Sequence, residues 1–241
     1  AKPAVKTIIE TARAEGRRFL LEPEAKKLLE LHGAPVSQDQ MAQSAEDAVR
    51  MAESVDGAVV LKVVSPQILH KSDAGGVRIG LYGQEQVRRA YGEILANAHR
   101  FDPEADIRGV LVSPMAAEGV EVIIGTKYDD QFGPVIMYGL GGIMVEILKD
   151  VSFRVLPLSP TSARKMIETS ARKMIEETKS FPILDGVRGT PPSDKKAIQK
   201  LLVLCSEVVE SYPEIAEMDL NPVIVHTKGV SVVDARIILK E

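Results

Sequence analysis

Apolar residues recur along the chain with two periods, one of about 3.6 residues and one of two residues. The longer period predicts helices over 24–32, after Ser44, over 84–99 and from Ser193 to Tyr212, and Ser159-Pro160 is typical of the first turn of another. The shorter period predicts strands at 58–64, 77–81, 107–115, 120–128 and 134–140, with two more flanking 226–229. Helices that alternate with strands in this way indicate an α/β (α+β) protein.

The three strand-like runs that begin near Ile107 predict the domain organisation. They follow one another at short spacing, which favours antiparallel hairpins over the long crossovers that parallel strands need. We therefore expect a smaller α/β lobe of residues 20–104, inserted in a larger lobe that is formed by residues 1–19 and 105–241.

An exact repeat interrupts the helical part of the larger lobe. The segment TSARKMIE occupies 161–168 and occurs again at 169–176. Eight residues advance a helix by about 800°, which is roughly 80° beyond two turns, so the two Met-Ile pairs cannot take equivalent positions. Either the helix is two turns longer with one copy partly exposed, or one copy loops out. We interpret the repeat as a tandem duplication without a role in function.

Composition excludes several classes of protein. The chain has 30 Lys+Arg against 34 Asp+Glu, a net charge of -4, which argues against a nucleic-acid binder. Its one cysteine, Cys205, lies in the apolar stripe of the last helix and can form no internal disulfide, which favours a reducing compartment. The first residues contain no apolar core of a signal peptide, and the apolar run at 133–148 is too short for a bilayer. We therefore expect a cytoplasmic protein without a membrane segment.

The loop between the strands at 58–64 and 77–81 carries the first candidate site. Lys62 interrupts an apolar strand, and an isolated buried charge is costly, so it either binds an anion or packs its stem with the head group at the surface. Gly75 and Gly76 allow backbone N–H groups to form an anion-binding concavity. With Lys71 in the same loop, these residues predict a phosphate site.

His70 begins the segment HKSDAGG and is the candidate nucleophile. A neutral imidazole can attack a phosphoryl group and form a phosphohistidine, which divides one transfer into two steps. Asp73 or another acid nearby could orient the ring. We interpret His32, His99 and His226 as ordinary surface residues.

The C-terminal hairpin carries a candidate metal site. If the loop is His226 to Gly229, Val225 pairs with Val230, and Asn221 lies opposite Asp234. Directly opposed residues have Cβ atoms about 5 Å apart, close enough for two oxygens to share a cation such as Mg²⁺. Without further context, such side chains are more often simply solvated.

The segment VLVSPMAAEGVEVIIG is a candidate for binding a purine nucleoside. Val112 and Met115 at the end of a strand would present backbone groups and apolar surface to a flat base. Glu121 alternates with Val120 and Val122 and could accept a ribose hydroxyl, although an ordinary exposed glutamate fits the same pattern equally well.

These segments together resemble a known family. VVLKVVSPQILHKSDAGGVRIGL, the run from GVLVSPM to MYGLGG, FPILDGVRG, and DLNPVIV with VVDAR are similar to the nucleotide-binding β subunits of ADP-forming acyl-CoA (acetyl-CoA) synthetases, over essentially the whole chain. The resemblance implies an ATP-grasp fold, in which two α/β lobes clamp ATP. It also implies the reversible conversion of acyl-CoA, ADP and phosphate to acid, CoA and ATP, with Mg²⁺. The family has a single copy of the segment that is duplicated here.

The resemblance assigns roles to the candidate residues. It implies that His70 is a phosphohistidine and that Asp219 contacts the incoming phosphohistidine segment of a partner. The residues implied to bind the nucleotide are Lys62, Lys71, Gly75, Gly76, Val112, Met115 and Glu121, and those implied to bind Mg²⁺ are Asn221 and Asp234.

The resemblance also implies a partner. A CoA-binding α subunit with its own histidine would complete an α₂β₂ heterotetramer, and GLGGIM at 139–144 lacks the context of a dinucleotide-binding motif. Two alternatives are a stand-alone ATP-grasp ligase that joins a carboxylate to an amine, and a non-catalytic nucleotide-sensing subunit. The sequence does not determine the acid substrate, nor the choice between ADP and GDP.

Overall fold

The computed structural model describes residues 2–141, 150–156, 163–186 and 189–241, and the side chains of 163–168 lie outside that description. The chain forms two compact units, residues 1–36 with 117–241 and residues 37–116. The predicted boundaries at 20 and 104 are therefore wrong. Residues 22–31 form a helix that belongs to the larger unit's core, and residues 109–114 form a strand of the smaller unit's sheet.

The larger unit contains an antiparallel sheet of seven described strands in the order β1-β11-β9-β6-β7-β8, with β10 paired to β9. These strands are β1 (Phe19–Leu20), β6 (Val120–Asp129), β7 (Gly133–Leu140), β8 (Val151–Val155), β9 (Ile215–Val225), β10 (Val230–Val232) and β11 (Ala235–Leu239). Its helices are α1 (Lys2–Ala14), α2 (Glu22–Leu31), α5 (Ala163–Glu176), α6 (Phe181–Leu184) and α7 (Lys195–Ser211).

One face of the larger sheet packs on these helices. Alternate strand residues such as Val122 and Ile124 join helix residues such as Leu28 and Ile198 in one apolar core. Cys205 also belongs to this core, and its burial raises the pKa of the thiol to about 12. The interpretation of Cys205 as a core residue is confirmed.

The smaller unit is a four-stranded antiparallel sheet with two helices. Its order is β2-β5-β3-β4, where β2 is Gln40–Ala42, β3 is Val59–Val64, β4 is Val77–Leu81 and β5 is Gly109–Pro114. Helices α3 (Ala45–Glu53) and α4 (Gly83–Phe101) cover the face that carries Leu61 and Val63. Ser44 caps α3 as predicted, because its side chain accepts a hydrogen bond of 3.0 Å from the Asp47 N–H group.

Two other predictions, on the pairing of strand β5 and on the cap of the last long helix, are corrected by the structure. The β6–β7 hairpin is antiparallel as expected, but β5 pairs with β2 and β3 instead of β6, since Val110 and Val112 supply the core of the smaller unit. The last long helix is capped by Asp194, one residue after the predicted Ser193, through a 3.0 Å bond from the Ala197 N–H group. The predicted helix start at 159–160 lies outside the described residues.

The described part of the duplicated segment lies in one continuous helix. Residues 163–176, from both copies, form α5, so the longer helix is present and a looped-out copy is excluded. In the second copy, Ala171, Met174 and Ile175 are buried in the larger core. In the part of the chain that the structure describes, no helix is long and apolar enough to cross a membrane.

Candidate active site

His70 lies in a loop that is anchored on both sides. Ile68 and Ala74 are buried in the core of the smaller unit, while His70 itself is exposed. Within the loop, the Ala74 N–H group donates to the His70 carbonyl at 3.3 Å. The fold therefore presents the imidazole to solvent from a fixed base, as a nucleophile requires.

The two glycines close this loop and do not form the predicted anion concavity. The Gly75 N–H group donates to Ser72 O at 3.0 Å, and the Gly76 N–H group donates to Lys71 O at 2.7 Å. The anion-binding interpretation is wrong for these two N–H groups, because both already have acceptors. Gly75 has a φ of +62°, which favours glycine. A Cβ at Gly76 would lie 2.4 Å from Cγ1 of Val63, so glycine is required there for close packing.

Lys62 lies next to the same loop. The Val63 N–H group donates to Gly76 O at 2.8 Å, and Lys62 is paired with Val77 across β3 and β4. Its neighbours Leu61 and Val63 face the helices, so the Lys62 side chain lies on the opposite face of the sheet. It is 4% exposed, which contradicts the alternative that the head group reaches the surface.

The other predicted site residues of the smaller unit differ in how far they are exposed to solvent. Lys71 is half-buried in the His70 loop. Asp73 is exposed and, within the described chain, neither it nor another acid bonds to the His70 ring. Met115 is 49% exposed, and its N–H group donates to Ala58 O. Val112 is 1% exposed and packs in the core, so its side chain offers no apolar surface to a base, while a contact through its backbone stays a prediction.

The C-terminal hairpin has the predicted register. Val225 pairs with Val230, and the Asn221 N–H group donates to Asp234 O at 3.3 Å, so Asn221 and Asp234 are opposed. Asn221 is exposed and Asp234 is half-buried. An amide and a carboxylate oxygen suit Mg²⁺, which prefers a few protein oxygens together with substrate phosphates. Among the described residues, no group of three or more acidic, histidine or cysteine side chains is arranged to hold a metal ion.

Asp219 lies two residues before Asn221 on β9. Met218 and Leu220 are in the core, so Asp219 lies on the opposite face of the sheet, directly across from Arg236 on β11. Burial raises the pKa of Asp219, the negative charges of Glu217 and Asp234 raise it further, and Arg236 opposes the shift. The carboxyl group is thus in a position where it accepts a proton more readily than an ordinary aspartate.

Arg236 and Glu217 were not among the predicted site residues. Nη2 of Arg236 donates to Oε1 of Glu217 at 3.1 Å, which places the guanidinium between this carboxylate and Asp219. The hairpin register that predicts the Asn221–Asp234 pair also predicts Asp219 opposite Arg236, so this signal was present in the sequence.

Glu121 also lies on the face of the larger sheet that is opposite its described core. It is exposed and paired with Ile224, while its neighbour Val122 is in the core. Its predicted direction off the apolar face is confirmed, and its role with a ribose stays a prediction. His32 is not an ordinary surface residue as predicted, because its Nε2 lies 3.0 Å from the hydroxyl of Tyr212.

Comparison with known proteins identifies the family of this chain. An ATP-grasp domain model matches residues 11–239. The β subunit of an ADP-forming acetate–CoA ligase II from Pyrococcus furiosus is 48% identical over 236 residues, which are 97% of each chain. The chain belongs to the family of ADP-forming acetate–CoA ligase β subunits.

Two further proteins of this family are similar to the chain over nearly its whole length. An ADP-forming acetate–CoA ligase I from Archaeoglobus fulgidus is 44% identical over 234 residues, 97% of this chain but only 33% of that protein. An acetyl-coenzyme A synthetase 1 from Ca. Korarchaeum cryptofilum has a TM-score of 0.82 and 44% identity, and the match covers 98% of this chain and 100% of that one. That protein was solved with coenzyme A and Mg-AMPPCP, with its phosphohistidine segment pointing towards the nucleotide-binding site. The predicted ATP-grasp fold and family are confirmed.

Proposed function

We propose that this chain is the nucleotide-binding subunit of an ADP-forming acyl-CoA ligase and that it passes a phosphoryl group through His70. The observation that carries the proposal is an exposed imidazole on a loop that is anchored by Ile68 and Ala74 and bonded, through Gly76, to the strand of the buried Lys62. A nucleophile on a fixed base loses little entropy on reaction, and phosphoryl transfer depends chiefly on positioning and electrostatics.

In the direction of ATP synthesis, a ring nitrogen of His70 attacks the phosphorus of a phosphohistidine on the partner. The new N–P bond forms as the partner's N–P bond breaks. An oxygen of the ADP β-phosphate then attacks the phosphorus on His70, the second N–P bond breaks, and ATP leaves. Lys62 contributes a positive charge towards the phosphoryl oxygens. In this proposal Lys71, in the same loop, contacts phosphate, and Met115 and Glu121 contact the nucleoside.

Asn221 and Asp234 would hold Mg²⁺ through their side-chain oxygens. When bound, the ion neutralises negative charge on the phosphates. Asp219, with its raised pKa and its position on the same strand, would accept a hydrogen bond from the partner's histidine and hold the ring as the phosphoryl group arrives.

A CoA-binding α subunit completes the enzyme in this proposal, as an α₂β₂ heterotetramer in the cytoplasm. Two observations support a partner. The A. fulgidus relative is about three times as long as the segment that matches this chain. The K. cryptofilum enzyme was crystallised with coenzyme A in addition to a nucleotide analogue. The acyl group that the enzyme accepts would be selected by the partner.

Labelling with γ-labelled ATP and Mg²⁺ tests the proposal on the full chain. We expect a label that is stable to base and labile to acid, absent from His70→Ala and retained in His99→Ala, a matched control in which another exposed histidine is removed. Label that persists in His70→Ala would refute the role of His70. A wild-type chain that binds Mg-ATP without any label would favour a sensing subunit, and ATP-dependent joining of a carboxylate to an amine would favour a stand-alone ligase.

A further inference from the structure

The carbonyl oxygen of Gly75, in the His70 loop, is held by two side chains from outside the loop. Nδ2 of Asn97 on α4 lies 3.0 Å from this oxygen, and Nη1 of Arg78 on β4 lies 3.1 Å from it. A carbonyl oxygen has two lone pairs, so both of its acceptor sites are used. The loop is therefore tied to a helix and to an edge strand at the same atom.

Asn97 projects from a rigid part of α4. Its neighbours Ile94 and Ala98 are fully buried in the core of the smaller unit. Nη1 of Arg100 lies 3.4 Å from the Asn97 Oδ1 atom, so the acceptor end of the amide faces the guanidinium and the donor end faces Gly75. Asn97 thus offers the loop a hydrogen-bond donor in a fixed place.

The bond to Gly75 acts on His70 through the backbone. The Gly75 N–H group is bonded to Ser72 O, the Gly76 N–H group to Lys71 O, and the Ala74 N–H group to His70 O. The turn from His70 to Gly76 therefore moves as one unit, and a side chain that fixes Gly75 also fixes the base of the imidazole.

We propose that Asn97 is a positioning residue for phosphoryl transfer at His70, which it serves by holding the carbonyl of Gly75. This inference rests on the proposed function of His70. Asn97 forms no hydrogen bond with the imidazole of His70 or with the side chain of Lys62 or Lys71, so its loss will slow transfer of the phosphoryl group without weakening nucleotide binding.

Two variants separate positioning from simple packing. Asn97→Asp keeps the size of the side chain, removes the N–H donor and sets a carboxylate against the Gly75 carbonyl. Asn97→Ala removes both the donor and the volume. If Asn97 served only as packing, Asn97→Asp would behave as the wild type. The matched control is Arg100→Ala, which changes the other neighbour of Asn97 and leaves its bond to Gly75 in place.

The experiment measures, on the full chain, the initial rate of His70 labelling from γ-labelled ATP with Mg²⁺, together with the Kd of the nucleotide and the melting temperature. Arg78 still holds the loop in both Asn97 variants, but a small misplacement of a reacting group has a large kinetic effect. We therefore expect His70 to be labelled about tenfold more slowly in both variants, with an unchanged Kd of the nucleotide. Arg100→Ala should label at the wild-type rate.

Three results would overturn the inference. Wild-type labelling in Asn97→Asp would show that the donor is not needed. A rate and an affinity that fall together with the melting temperature, in both variants, would show a structural role alone. A wild-type chain that takes up no label at His70 would refute the proposed function itself, which keeps the two failures distinguishable.

Discussion

The two units hold their candidate functional groups by different means. In the smaller unit, His70 depends on a loop that is closed by its own N–H groups and pinned by side chains from α4 and β4. In the larger unit, the register of an antiparallel hairpin sets Asn221 opposite Asp234. The loop can therefore be disturbed from many positions that lie away from the chemistry, whereas the hairpin should be sensitive chiefly at the liganding side chains themselves.

The largest effect is expected from a substitution in the C-terminal hairpin, which should lower the affinity for Mg²⁺ and change nothing else. Asp234→Asn removes a charged oxygen from the predicted Mg²⁺ pair without changing the strand register. We expect the Mg²⁺ concentration for half-maximal labelling to rise by about a hundredfold, because even indirect partners of a metal contribute about ten- to a hundredfold in affinity. The melting temperature should change little. Asp130→Asn, in the exposed β6–β7 turn, is the control. An unchanged Mg²⁺ requirement would exclude Asp234 as a ligand.

A substitution in the His70 loop should lower the stability of the protein as well as the labelling rate. Gly76→Ala places a methyl group 2.4 Å from Val63 Cγ1 and 3.1 Å from Lys71 O. Such overpacking costs about 1–3 kcal/mol, measured as the free energy of unfolding in urea, and should slow labelling as well. The control Gly92→Ala, on the exposed face of α4 with nothing within 4 Å, should be neutral or stabilising.

A second substitution can relieve the same clash. Val63→Ala removes the methyl group that the new Cβ would meet, so Gly76→Ala and Val63→Ala together should destabilise the protein less than the sum of the two single changes. Strict additivity would show that Gly76 is required for another reason.

Asp219 should give a smaller effect, with a sign that depends on pH. Its pKa is raised in the folded protein, chiefly by burial, so the folded chain binds this proton more tightly than the unfolded chain does. The free energy of unfolding of the wild type should therefore fall, relative to Asp219→Asn, as the pH rises from the ordinary carboxyl pKa through the raised one. At neutral pH, the Asp219→Asn variant should be more stable than the wild type. Transfer of the phosphoryl group from the partner's histidine should be slower in this variant.

Urea unfolding curves of both proteins measure this difference in the free energy of unfolding. They are recorded between about pH 3 and pH 7, the range in which carboxyl groups titrate. Asp56→Asn, which removes an exposed carboxylate of the smaller unit, is the control. A stability difference that does not vary with pH would contradict the assignment of the raised pKa to Asp219.

The smallest effect is expected in the duplicated segment, which carries none of the candidate functional groups. Deleting residues 161–168 or 169–176 gives the same sequence, and a copy of the segment remains to supply the buried positions of Ala171, Met174 and Ile175. We expect the labelling rate to be unchanged and the melting temperature to shift by only a few degrees. Loss of labelling in the deletion variant would show that the duplication has a function.

The hairpin could be predicted from the sequence and the loop could not, for one physical reason. A strand has a side-chain period of two and a turn fixes its register, so placing Val225 opposite Val230 also places Asn221 opposite Asp234. The His70 loop has no period. Its geometry depends on Asn97, 22 residues from Gly75 along the chain, and on backbone bonds that the residue types do not specify.

The unit boundaries illustrate the same limit. The apolar face of α2 and the alternation in β5 were both visible in the sequence, but neither pattern states which core receives the element. Leu28 joins the larger core and Val112 the smaller one, which moves the boundaries to 37 and 116. Local patterns predicted these elements, and only tertiary packing assigned them.

The most direct test of the central claim is a chase experiment on the isolated labelled chain. The chain is labelled with γ-labelled ATP and Mg²⁺, freed of nucleotide, mapped by mass spectrometry at neutral pH, and then given unlabelled ADP. We predict a single phosphorylated residue, His70, and quantitative transfer of its label into ATP. A label that maps to another residue, or that stays on the protein when ADP is added, would contradict the account.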